Sequence, residues 1–91
     1  MTELAVGRIV AVGEHPGARA PSLLLKIDLG QHGRHDVVLP TGDYEPGELE
    51  GAQILCRREA DEVTVVGAHS HGRGLVLLRP DRKVEDGTVV D

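Results

Sequence analysis

Arginine is the residue type in this chain best suited to binding chemistry. Arg8, Arg19, Arg34, Arg57, Arg58 and Arg73 recur along the sequence. A guanidinium pairs phosphate oxygens in a planar fork and stacks on bases. Brought to one face, these side chains would form a basic patch for RNA. The overall charge works against indiscriminate binding: ten Lys and Arg face fifteen Asp and Glu, a formal charge of −5. Non-specific affinity for nucleic acid comes from phosphate neutralisation and needs a basic surface. Single-strand binding also leans on aromatic stacking. Tyr44 is the one aromatic residue here, so recognition of a folded RNA by shape and backbone is the mode left.

The histidines raise a metal reading. His69 and His71 stand two apart, and His32 and His35 three apart. Zinc takes three or four ligands with a fixed second shell. Positions i and i+2 point the same way only in an extended segment, and no Cys, Asp or Glu stands at a supporting spacing inside these turns. They read as turn histidines, with no metal and no cofactor expected. Catalysis has as little support. Ser22 and Ser70 are the only serines, and neither has a base held by a third group. Gly72-Arg73-Gly74 is too short to cradle a phosphate. No enzyme activity is expected.

Cys56 is the single cysteine, so no intramolecular disulfide forms, which fits a reducing compartment. Its setting, Ile54-Leu55-Cys56, reads as strand core and an inert thiol. Met1 to Ala5 lacks the pattern of a secretory leader, and no apolar run approaches a membrane span. The expectation is a soluble cytoplasmic protein without a membrane partner.

Ninety-one residues make one domain, residues 1–91. With no Phe or Trp, its core must be built from Val, Leu, Ile and Ala. The clearest element is Pro21 to Gly30. Leu23, Leu25, Ile27 and Leu29 alternate with Ser22, Lys26 and Asp28, the period-two pattern of a strand buried on one side. Leu24 breaks the polar face and predicts partial cover there. Glu3 to Val12 reads as an earlier strand with apolar groups on both faces, bent at Gly7. Gly13 to Pro21 is a loop. Gln31 to His35 is a tight connection into a short strand, Asp36 to Leu39. Pro40 to Gly51 holds the one helical signal, with Thr41 or Asp43 as cap and Pro46 in the first turn. Strands then follow at Ala52 to Arg57, Glu62 to Gly67 and Leu75 to Leu78, with a charged turn from Arg57 to Asp61 and a glycine-bearing turn from Ala68 to Gly74. The tail ends in an extended piece. Short strands at near-regular spacing mean a barrel or sandwich. One helical turn after the third strand selects an all-β OB-fold, a five-stranded Greek-key barrel with extra terminal strands.

Several stretches resemble a known family. Val6-Gly7-Arg8-Ile9-Val10 resembles the opening strand of the stand-alone tRNA-binding domains. His15-Pro16-Gly17-Ala18-Arg19-Ala20-Pro21 is similar to their Pro-Glu-Ala-Arg-x-Pro loop, and Lys26-Ile27-Asp28-Leu29-Gly30 to the strand after it. Tyr44-Glu45-Pro46-Gly47-Glu48-Leu49-Glu50-Gly51 resembles their short helix. Val76-Leu77-Leu78-Arg79-Pro80-Asp81-Arg82 and Val84-Glu85-Asp86-Gly87-Thr88 resemble the closing pieces. The pattern is that of the CsaA-type branch, described as secretion chaperones, and it spans nearly the whole chain. Two departures fall in regions thought to face tRNA in the family. The Asn-Pro segment after the fourth strand is absent, and a polar run in the third is replaced by Asp36-Val37-Val38-Leu39.

The resemblance implies an OB-fold homodimer, with Leu4 to Val12 and Val89-Val90 as candidate interface. Two ligand readings stand side by side. One is tRNA, bound through Arg19, Arg34, Arg57, Arg58 and Arg73. The other is an unfolded or preprotein peptide, held on apolar surface at Val37, Val38 and Leu39.

Overall fold

The computed structural model describes residues 2–15, 17, 21–40 and 43–91. Its strands are β1 (Thr2–Glu14), β2 (Leu23–Asp28), β3 (Arg34–Leu39), β4 (Gln53–Glu59), β5 (Glu62–Val65), β6 (Gly67–Ser70), β7 (Gly74–Leu77) and β8 (Val89–Val90). A 3-10 turn at Gly30–His32 joins β2 to β3, and one helical turn, α1 (Pro46–Leu49), lies between β3 and β4. The main sheet runs β3-β2-β1-β4-β5, all antiparallel, with β8 added along β1. Its two ends, β3 and β5, lie against each other and nearly close the barrel. A five-stranded barrel with a helical turn after the third strand is the OB arrangement. No helix among the described residues is long and apolar enough to cross a membrane.

The barrel interior follows from alternation. Leu23, Leu25 and Ile27 of β2 and Val37 and Leu39 of β3 point inward, joined by Ile9, Ile54, Cys56 and Leu49. β1 keeps its inner face through a bulge. The register passes from Ile9 opposite Ile27 to Ala11 opposite Lys26, so Val10 is the extra residue. Ile9 and Val12 therefore share the inner side, which strict alternation from the sequence did not allow. The bend thus sits at Val10. Gly7 serves the core instead. A Cβ there would run into Ile27 Cγ2, so its bare backbone makes room for that side chain.

The C-terminal segment is laced onto the outside of β1. Val6 N–H donates to Thr88 O at 2.9 Å, and Gly87 N–H to Val6 O at 2.7 Å. Gly87 has φ 91° and lies back to back with Gly30: a Cβ on Gly87 would strike Leu29 O, and one on Gly30 would strike Asp86 O. Gln53 grips the same segment in two directions. Its amide nitrogen donates to Val84 O at 2.6 Å, and its carbonyl oxygen accepts from Val84 N–H at 3.1 Å. Arg8 Nε donates to Asp86 Oδ2 at 2.9 Å. Burial alone would raise the Asp86 carboxyl, but the hydrogen bonds from Arg8 and Gln53 and the charges of Arg8 and Lys83 hold it below its ordinary value.

Three local expectations change. The turn from Ala68 to Gly74 is mostly a strand: β6 pairs with β7 as a separate two-stranded ribbon, and the chain reverses over His71 to Arg73. α1 is capped by Glu45, whose N–H donates to Glu48 Oε1 at 3.2 Å, rather than by Asp43, and Thr41 lies outside the described residues. β4 runs on to Glu59, so the charged turn shrinks to Ala60 and Asp61.

Candidate functional site

Of the five arginines expected to hold RNA, the four among the described residues do not converge. Arg57 and Arg58 are consecutive in β4, and consecutive strand residues face opposite ways. Arg57 lies on the outer face opposite Thr64 of β5. Arg58 lies opposite the buried Val63, and its Nη1 donates to Glu3 Oε1 at 3.3 Å. Glu3 also has His32 Nε2 at 3.9 Å, so the part-exposed Glu3 carboxylate gathers a guanidinium and an imidazole at this corner. Arg34, at the start of β3, reaches Asp28 at 3.7 Å, and the same carboxylate has Arg8 at 3.8 Å. Asp28 further accepts the Gly30 N–H at 2.8 Å, so it fastens the β2–β3 connection. Arg73 projects from the β6–β7 turn. Arg19 lies outside the described residues.

The apolar candidates also divide. Val37 and Leu39 are 3% and 0% exposed, because odd positions of β3 face the core. They present no surface to a ligand. Val38 is 44% exposed, and Leu24, directly opposite it on β2, is 36% exposed. Leu24 is therefore not covered as its sequence position suggested; it forms a surface pair with Val38.

Beside that pair lies a groove of about 360 Å³. Val38 and Pro40 form one wall. Thr64, Val65, Val66 and Gly67 form the opposite wall, with His69 and Leu75 contributed by the ribbon. Arg57 enters from β4. Among the described residues no carboxylate lines it, in a chain with fifteen acids, and Arg57 makes no ion pair. The groove occupies the seam where β3 and β5 meet without a hydrogen-bonded ladder. The sequence pointed to Val38, Arg57 and His69 but not to Pro40, Thr64, Val66 or Leu75. Nothing in their spacing shows that the ribbon folds back toward β3.

A second recess of about 330 Å³ is lined by Arg8, Arg79, Arg82 and Lys83, with Gln53 and Asp81. Two of its four cations have ion-pair partners among the described residues: Arg8 in Asp86 and Asp28, and Arg82, at the exposed surface, in Asp81 at 3.8 Å.

Tyr44 offers no stacking platform. It packs against the core, and its hydroxyl accepts the Leu77 N–H at 2.9 Å. Cys56 is buried, and burial pushes its thiol up to about 11. Such a thiol is not a nucleophile at neutral pH. Among the described residues no three His, Cys, Asp or Glu side chains gather as metal ligands. His69 lies near the end of β6 while His71 lies in the turn, so their backbones differ.

No family model matches the chain. It is 31% identical over 93 residues to a methionine–tRNA ligase of Thermococcus kodakarensis. That match takes in 93% of this chain but 12% of the ligase, so the chain spans about an eighth of that relative's length. Among solved structures it is similar to the chaperone CsaA of Bacillus anthracis, with a TM-score of 0.86 and 30% identity over 99% of this chain and 91% of that one. The CsaA chaperone protein of Picrophilus torridus gives 0.88 and 29%, over 99% and 92% of the two chains. A MetRS-related protein of Pyrococcus horikoshii shares the fold at a TM-score of 0.77 and 17% identity, over 98% and 89%.

Proposed function

The chain belongs to the family of CsaA-like tRNA-binding domains, and from that premise we propose that it is a non-catalytic, chaperone-like protein that binds extended peptide segments in the groove beside Val38. The observation that carries this reading is the make-up of the groove among the described residues: three valines, a proline, a leucine and a glycine, with Arg57, Thr64 and His69 as its polar groups and no acid. Apolar walls desolvate an extended chain, and a few polar groups orient it. The exposed Leu24–Val38 pair lengthens the apolar surface at one end.

A second reading, tRNA binding, draws support from the likeness to a segment of a methionine–tRNA ligase. It would use Arg57 and Arg73, with Arg19 and Arg34, as separated contacts to a folded RNA. The ion pairs of Arg34 and Arg58 and the net charge of −5 weigh against it.

The proposal includes a homodimer formed along β1 and β8. Val89 and Val90 are 46% and 38% exposed on a two-residue edge strand, and Leu78 is 39% exposed. Apolar edge strands gain by pairing with a second copy. A cytoplasmic setting accompanies it, in keeping with the lone buried thiol.

The test is fluorescence anisotropy with a labelled, unstructured Val- and Leu-containing peptide, for the parent and for Val38→Glu. Val38 is half-exposed, so the substitution leaves the core intact. Binding by the parent that the variant loses supports the reading. Equal binding by both, or none by either, removes it.

A further inference from the structure

We propose that Arg57 makes the groove selective for peptides that carry a side-chain carboxylate among apolar residues. This deepens the peptide reading and rests on it. Arg57 and Thr64 are directly opposed across β4 and β5 on the outer face. Directly opposed side chains lie within contact reach of each other. A guanidinium and a hydroxyl thus stand side by side in a lining that includes Val38, Val65 and Leu75.

The neighbouring acids on this face, Glu59 and Glu62, form no ion pair with Arg57 among the described residues. Glu59 is two residues beyond Arg57 on the same face, yet it accepts from Thr2 Oγ1 at 3.1 Å and forms no ion pair with Arg57. Lys26, on the outer face of β2, reaches Asp36 at 3.8 Å. Among the described residues Arg57 is the one arginine or lysine on the groove wall, and no carboxylate joins it. A carboxylate satisfies it with charge-assisted hydrogen bonds, and apolar walls strengthen them by excluding water.

Charge count decides the partner class. An RNA strand brings one phosphate per nucleotide, and among the described residues the groove offers one guanidinium and, in the His69 imidazole, a single ring. An apolar peptide with one Glu or Asp brings a single negative charge, which this wall matches.

The experiment uses three labelled peptides of alternating Val, Thr and Leu, amidated at the C-terminus, with a central Glu, Gln or Lys. The Glu peptide is expected to bind about tenfold more tightly than the Gln peptide, and the Lys peptide least well. Arg57→Gln should bring the Glu and Gln peptides to equal affinity, and Arg82→Gln, at an exposed residue outside the groove, should keep the preference. Equal affinity of the parent for the Glu and Gln peptides would overturn the carboxylate selectivity while leaving the peptide reading in place. A Gln peptide with a free C-terminus that matches the Glu peptide would overturn the assignment to a side-chain carboxylate. Failure of all three peptides to bind would remove both the selectivity and the reading beneath it.

Discussion

Arg57 and Arg58 are neighbours in the chain and point to opposite faces of β4. Arg57 stands on a groove wall with no ion-pair partner among the described residues, and Arg58 is drawn to Glu3 at the barrel's end. A basic dipeptide that reads as one patch is two sites with different roles. That division separates a ligand-facing cation from a structural one. It predicts that Arg58→Gln lowers stability slightly, by less than about 1 kcal/mol for a partly exposed pair, without changing peptide affinity. Urea denaturation and anisotropy on the same variant check both halves.

Gly7 is held bare by the core. A methyl group there would overlap Ile27 and press on Leu29 and Cys56. Overpacking of this kind costs about 1–3 kcal/mol. Gly7→Ala should lower the urea midpoint accordingly, and an unchanged midpoint would show that Ile27 can move aside.

Tyr44 is a structural acceptor. The Leu77 N–H that it receives lies on a residue only 6% exposed. Tyr44→Phe leaves that donor unsatisfied and should cost about 1–3 kcal/mol. Amide hydrogen exchange at Leu77 should quicken more than exchange in β2.

Asp86 ties stability to pH. Its folded carboxyl lies below the unfolded value, so the stabilisation is present above the unfolded pKa and lost as pH falls through the folded one. Asp86→Asn should be less stable than the parent at neutral pH, and the gap should narrow below about pH 4. Urea midpoints at pH 7 and pH 3 measure it.

Cys56 acts at the other end of the scale. Burial raises its folded value to about 11, so its contribution is intact below the unfolded value and is lost as pH rises toward 11. The native thiol should resist a disulfide reagent at pH 8, and the stability loss between about pH 8.5 and 11 should be shallower in Cys56→Ala than in the parent.

How much of this was legible follows from which force placed each element. β2 was plain because one-sided burial writes a period-two pattern into Leu23, Leu25, Ile27 and Leu29. Its partner β3 and the helical turn at Pro46 were legible through the same alternation and through proline. The bulge at Val10 was not, since it is set by ladder hydrogen bonds that leave no mark on residue type. β6 was hidden for a related reason: Ala68, His69 and Ser70 are all exposed, so no burial pattern reveals a strand. Of the candidate site, Val38 and Arg57 were named from sequence. Their partners were not, because the groove depends on how a ribbon of its own packs beside the β3–β5 seam. The resemblance carried the family and the barrel; it did not place the charges.

If the groove takes a peptide and the arginines form no RNA patch, salt dependence shows it most directly. Each phosphate neutralised on a single strand steepens the fall of log affinity with log salt by about 0.7. One arginine meeting one carboxylate predicts peptide binding that declines only slightly between about 50 and 200 mM salt, with no tRNA binding at either end. Tight tRNA binding at the low end, falling steeply across that range, would contradict it.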